Sequence, residues 1–196
     1  MNPYRLRIAD YLLPVVSGLG ELNKVLDFGS GDGWFASRFN ALDGVKNLTA
    51  LDVKRRPNVH FEPQIYTPGE AIPFPDCSFD LVYSIDVLHH CEDPFYQLDE
   101  LSRVSARYLL IKDHAYRTSV GRWTLAVLDE LGNRRFGIPS LYQYQHGSSW
   151  TDHLSRRGWT LKAKVMPMKC HSGILGLATN GLQYYALYER QAATSS

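Results

Sequence analysis

The stretch Lys24–Phe35, KVLDFGSGDGWF, decides the fold. Val25 to Phe28 read as a short apolar strand, Gly29, Gly31 and Gly33 follow at alternating positions, and Trp34 opens a helix. Glycines without side chains let a chain turn sharply from strand to helix and let a ligand approach the backbone, so this bend suits a nucleotide-like molecule. No Gly-Lys-Ser/Thr follows it, so the lysine and hydroxyl with which a P-loop holds phosphate and Mg²⁺ are missing. Trp34 occupies the place where the dinucleotide spacing needs its third glycine, which argues against a pyrophosphate. Asp27 would repel a pyrophosphate as well, whereas it would pair with a cationic amine.

Working outward, Leu48 to Val53 (LTALDV) is a second apolar strand closing on Asp52. An acidic residue at the end of the second strand is placed to accept hydrogen bonds from ribose hydroxyls. A ribose and an ammonium together suggest S-adenosylmethionine. The run DFGSGDG, then Asp52, then IPFPDCSFDLVYSIDVLHH resembles the class I S-adenosylmethionine-dependent methyltransferases, in their small-molecule, methyltransferase type 11-like branch. The resemblance implies an α/β fold: a Rossmann-like, seven-stranded, mostly parallel sheet with an antiparallel last strand and helices on both faces. It also implies that S-adenosyl-L-methionine is held by Asp27, Phe28, Gly29, Ser30, Gly31 and Gly33 at the turn, by Asp52 and Val53 at the second strand, by Glu70, Ala71 and Ile72 around the adenine, and by Ser84 and Ile85 at the end of the fourth strand.

Composition sets the outer limits. With 196 residues, the chain suits one well-buried domain, expected over 1–190, with a helical and aromatic insertion at about 115–147 and a disordered tail at 191–196. The net charge of +1 offers no global field for nucleic acid or an anionic membrane. The N-terminal stretch is too broken by charge and proline to span a bilayer and lacks a signal pattern, so a cytoplasmic protein without membrane insertion is expected. Cys77, Cys91 and Cys170 are too far apart for a zinc motif and are expected as reduced thiols; no metal is expected.

Along the chain, Pro3 to Leu19 has helical apolar spacing, and a helix from Trp34 to about Leu42 completes the first βαβ unit. A short extended piece is expected around Val59 to Phe61, and a continuous apolar strand over Phe79 to Ile85. Its carboxyl end leads to His89 and His90, either of which could serve as a base or simply as a hydrogen-bonding group. Asp93-Pro94 starts a helix as cap and first residue. Tyr108 to Lys112 is the fifth strand, and Asp113-His114 is expected to follow it at the carboxyl edge. The catalytic candidates are thus Asp113, His114 and His90, although strand-end acids also cap loops.

The insertion carries a helical run from Ser119 to Leu131 and then an aromatic, glycine-rich segment. Trp123, Arg134, Arg135, Phe136, Tyr142 and Tyr144 suit either an acceptor pocket or a dimer interface. A helix capped by Ser148 or Ser149 and two closing strands, Trp159 to Met166 and Leu182 to Tyr188, end the domain.

Three functions compete: methyl transfer to a small molecule, a cofactor-binding interaction module without turnover, and a nicotinamide oxidoreductase that Trp34 and the closing hairpin disfavour. No Asn-Pro-Pro-Tyr-like motif follows the fourth strand, which argues against a base or amide nitrogen acceptor of that type. If Asp52 fastens a ribose, Asp52→Ala weakens S-adenosylhomocysteine binding markedly; unchanged affinity by calorimetry contradicts the assignment.

Overall fold

The computed structural model describes residues 2–133 and 141–191. Its frame is a twisted sheet in the order β3-β2-β1-β4-β5-β8-β7. The strands are β1 (Leu22–Phe28), β2 (Val45–Asp52), β3 (Gln64–Ile65), β4 (Phe79–Ile85), β5 (Ser105–Tyr116), β6 (Gln145–His146), β7 (Trp159–Val165) and β8 (Gln183–Arg190). The first five pair in parallel, and β8 runs antiparallel to both β5 and β7. The expected mostly parallel α/β sheet with an antiparallel last strand is therefore present.

Helices cover both faces because the central strands are apolar on both sides. On one face α1 (Pro3–Ser17) and α2 (Trp34–Phe39) set Ile8, Leu12, Val16 and Phe39 against Leu22, Val25, Leu81, Tyr83 and Leu110. On the other, α3 (Pro94–Val104) and α5 (Ser149–Ser155) set Leu98, Leu101, Trp150 and Leu154 against Leu26, Val82, Leu109, Ile111 and Tyr188. Asp93 caps α3, accepting the Phe95 and Tyr96 N–H groups, and Pro94 occupies the first turn, where a missing N–H costs nothing. Two further helices, α4 (Ser119–Asn133) and α6 (Gly173–Thr179), pack together beside the end of β5. Among the described residues no helix is long and apolar enough to cross a membrane.

Four expectations are corrected. α2 stops at Phe39, and the chain reaches β2 through a tight turn in which the Val45 N–H bonds the Leu42 carbonyl. Val59–Phe61 is not a strand: Phe61 crosses over the glycine turn, and pairing with β2 begins only at Gln64. β5 continues through Asp113 and His114 to Tyr116, because β8 pairs with it as far as His114 (Lys112 with Tyr185, Asp113 with Tyr184, His114 with Gln183) and β6 takes the last two residues. The insertion returns to the sheet as β6, beside Ala115 and Tyr116. Arg134, Arg135 and Phe136, like most of the tail, lie outside the described residues.

One loop near the candidate adenine side is clamped from α3. Glu100 accepts the Ile72 N–H at 2.7 Å, and Arg103 donates to the Ile72 and Phe74 carbonyls at 2.9 Å each while pairing with Glu100 and Asp76. Leaving such buried groups without partners costs about 1–3 kcal/mol. Arg103→Ala should lower stability by that order in urea unfolding and speed hydrogen exchange at the Ile72 amide at least tenfold; unchanged Ile72 exchange contradicts the clamp.

Candidate active site

The carboxyl ends of β1, β2, β4 and β5 meet along one edge, where open α/β sheets bind ligands. Gly29, Gly31 and Gly33 all have positive φ, between 64° and 76°, in the region that side chains avoid. At two of them a side chain is also excluded by contact. A Cβ on Gly29 would meet the Val87 side chain at 2.4 Å, and one on Gly33 would meet the Phe61 backbone oxygen at 2.3 Å. Gly31, by contrast, faces open space, so Trp34 does not fill the bend. Trp34 instead packs against Phe35 and lies under the Arg38 guanidinium, 3.4 Å from its ring centre.

Two carboxylates flank the turn. Asp52 accepts the Gly31 N–H at 2.7 Å and the Lys54 N–H at 3.2 Å, tying the end of β2 to the bend. Val53 beside it is partly exposed. Asp27 is buried; burial pushes its carboxyl from 3.8 up to about 8, partly offset by the nearby Tyr83 hydroxyl and reinforced by the charge of Asp52. Neither Asp27 Oδ2 nor the Tyr83 hydroxyl has a partner of hydrogen-bonding geometry, and the buried hydroxyls of Ser30 and Ser84 have none either. Buried polar atoms are normally satisfied, so a group of unpartnered atoms around an open glycine bend marks a place suited to a polar ligand. An amine and a carboxylate, the ends of an amino acid, complement Asp27 and the serine hydroxyls. The residues present therefore fit the amino-acid half of S-adenosylmethionine.

Of the other cofactor candidates, Phe28 lies in the core between α3's face and the sheet, Ile72 is buried under the α3 clamp, and Ile85 ends β4 half-buried. Glu70 and Ala71 sit on an exposed turn, where the Glu70 N–H bonds the Thr67 carbonyl.

The catalytic candidates separate into different environments. Asp113 is completely buried, with Oδ1 taking the His89 ring and the His114 N–H at 2.6 and 2.7 Å and Oδ2 taking the Leu88 N–H at 3.1 Å. Burial alone would raise its pKa, but His89 and His114 outweigh that and hold it well below the carboxylate range. It is an anchor with its oxygens engaged. Burial lowers the pKa of His114 against the opposing hydrogen bond of Asp113. His90 is partly exposed, stacked obliquely on His89 with ring centres 4.0 Å apart, and burial lowers it to about 4.

Beside them stands a cluster that sequence reasoning missed. Lys112, fully buried, donates to Asp86 at 2.5 Å and to Tyr4 Oη and Gln183 Oε1 at 2.6 Å each. The Tyr4 hydroxyl donates to Asp86 at 2.9 Å, and Arg5 on the same helix reaches Asp32 of the glycine turn at 2.6 Å. Burial pushes Asp86 up, but the charges of Lys112 and His114 hold it below its ordinary range. Helix α1 is thus fastened to the site edge at two points. The one local signal was Asp86, a polar residue at a strand end that takes φ 56°.

From the insertion, Tyr144 packs against His89 and donates to Asp129 at 3.0 Å. Trp123 lines an open groove of about 510 Å³ between α4 and α6, with Val120, Val127 and Leu175. Tyr142 donates to Glu130.

Comparison with known proteins gives the chain's likenesses. Residues 26–107 match the family described as methyltransferase domain. Over 89 residues the chain is 39% identical to the malonyl-[acyl-carrier protein] O-methyltransferase of Erwinia billingiae, an alignment covering 42% of this chain and 35% of that protein. The chain thus spans about a third of the curated relatives it matches. Among solved structures, N-methyltransferase NodS from Bradyrhizobium japonicum WM9 superposes with a TM-score of 0.65 at 16% identity, covering 97% of this chain and 98% of that one. A SAM dependent methyltransferase from Aquifex aeolicus does so with 0.61 at 19% identity, covering 96% and 94%. Residues 26–107 thus match the methyltransferase-domain model, and the chain as a whole shares the fold of these solved methyltransferases.

Proposed function

We propose that this chain transfers a methyl group from S-adenosyl-L-methionine to a small-molecule acceptor. The observation that carries the reading is the open glycine bend ringed by the orphaned Asp27, Ser30 and Ser84 side chains and closed by Asp52. In this reading Asp27 takes the ligand's amine, and Ser30 with the Gly29–Gly33 backbone takes its carboxylate. Asp52 accepts from the ribose with the lone pairs left beside its two backbone bonds, and Val53 and Ile72 flank the adenine; Glu70 and Ala71 are kept as the outer edge of that pocket. When bound, the cofactor supplies an already electrophilic methyl group, so the protein's task is alignment and exclusion of water, worth about 7–11 kcal/mol in well-oriented systems.

For an acceptor that must lose a proton, His114 is the better base of the expected pair. Its ring is half-buried and burial lowers its pKa, which favours the form that can take up a proton, while Asp113, with both oxygens engaged, orients it. The groove lined by Trp123 and Val127 suits an apolar part of the acceptor. A homodimer built on that face and a cofactor-binding module without turnover are the competing readings. Incubating the protein with tritiated S-adenosyl-L-methionine and a cell extract distinguishes the last: an enzyme labels the small-molecule fraction, and a pure binder labels nothing.

A second test uses the sign of the Asp27 shift. Its folded pKa of about 8 lies above the ordinary 3.8, so its contribution to stability is complete below the ordinary value and is lost as pH rises through about 8. Asp27→Asn should therefore raise the melting temperature of the cofactor-free protein more at pH 9 than at pH 4, yet weaken S-adenosylhomocysteine binding at least tenfold. Tight binding by this variant would remove Asp27 from the amine site.

A further inference from the structure

The histidines after β4 face α4 in an arrangement that cofactor binding does not use. His89 Nδ1 lies 2.6 Å from Asp113 Oδ1, and that carboxylate is locked in place by the backbone N–H groups of Leu88 and His114. A carboxylate there has to be met by an N–H, so Nδ1 carries the proton that stays on His89, and an ion at Nε2 has to displace the second proton, which Asp113 and Asp129 favour against burial. Nε2 lies 3.8 Å from Asp129 Oδ1, and His90 Nε2 lies 4.0 Å from the same oxygen. One ligand atom from each of the three falls within 4.8 Å of the others. Tyr144 Oη donates to the second oxygen of Asp129 at 3.0 Å, so that carboxylate is oriented as well.

An imidazole anchored through its far nitrogen to a carboxylate is the posture of a metal-ligating histidine, and two imidazoles with one carboxylate favour first-row transition ions over Mg²⁺ or Ca²⁺. Donors around such an ion stand about 2.0–2.2 Å from it, so closing these gaps by well under 1 Å per side chain completes the set. His89 is buried, while His90 and Asp129 keep partial exposure, which leaves an entry path. We propose that His89, His90 and Asp129 bind a divalent transition-metal ion, with Asp113 and Tyr144 orienting two of the ligands. Val87, two residues before His89, packs on Gly29, so the ligand histidines leave the sheet next to the residue that lies against the glycine bend. There its remaining positions suit an oxygen of the acceptor; that role rests on the methyl-transfer reading, whereas binding of the ion does not. No cysteine spacing announces it, because the ligands come from adjacent histidines and a helix 40 residues on.

The test is titration of the tag-free, chelator-stripped full chain with Co²⁺ and Zn²⁺, by calorimetry and by the visible absorption of Co²⁺. One equivalent should bind at micromolar affinity or tighter, with Co²⁺ bands characteristic of a site of fewer than six ligands. His90→Ala and Asp129→Asn should each weaken binding at least tenfold, on the order expected for removing a ligand or its support. S-adenosylhomocysteine affinity, measured without metal, should stay unchanged in Asp129→Asn, which shows an intact fold and separates this proposal from the cofactor assignment. Absence of stoichiometric binding up to about 100 µM, or binding indifferent to both substitutions, overturns the site and leaves His89 as a buried ion-pairing group between two aspartates.

Discussion

Asp52 accepts the Gly31 N–H at 2.7 Å, and on that bond the geometry of the ligand edge depends. It ties the last residue of β2 to the middle of the bend after β1, and the Gly29 and Ser30 N–H groups reinforce it by bonding the Leu51 carbonyl. The bend is held open by its own stereochemistry, since the positive φ of Gly31 with free space in front of it leaves the backbone reachable. The same bond places a carboxylate at the rim, where it is desolvated but still has lone pairs to offer. Asp27, deeper in the sheet, has only the nearby Tyr83 hydroxyl to offset its burial, and its Oδ2 has no hydrogen-bond partner. Folding stability has been given up at that position in a way that a cationic ligand would restore.

A second constraint comes from the cluster beneath α1. Lys112 is a full charge with no exposed surface, and it is tolerable only because Asp86, Tyr4 and Gln183 each accept from it. These partners come from β4's end, α1 and β8, so the cluster welds three distant segments at the mouth of the site. Removing one partner of such a buried pair is costly, typically about 3–5 kcal/mol, whereas its presence fixes where His114 and the α1 helix stand. Preorganisation of this kind suits a reaction that depends on alignment.

Much of the frame was legible locally. The strand Phe79–Ile85, the Asp93 cap with Pro94 behind it, and the glycine bend each carry their signal within a few residues, and the structure has them where the sequence put them. Elements fixed by distant pairing were not. Asp113 and His114 look like loop residues because they break an apolar run, yet β8 pairs with them and the histidines satisfy them. β6 is two residues long and exists because β5 overruns its neighbours. Val59–Phe61 carries alternating apolar residues that imitate a strand pattern, but the Phe61 backbone is laid against Gly33 instead of a neighbouring strand. In the site, the Asp27 and Asp52 positions followed from the motif, whereas Tyr4, Asp86, Lys112 and Asp129 are assembled only by the tertiary fold.

The central claim is that the glycine bend, with Asp27 behind it and Asp52 at its rim, is where an amino-acid-bearing nucleoside is held. The most direct measurement is a crystal structure of the chain with S-adenosylhomocysteine. The account predicts the ligand's amine within hydrogen-bonding distance of Asp27, its ribose hydroxyls on Asp52, and its backbone contacts centred on Gly31. A ligand bound elsewhere, or an Asp27 still without a partner in the complex, contradicts it.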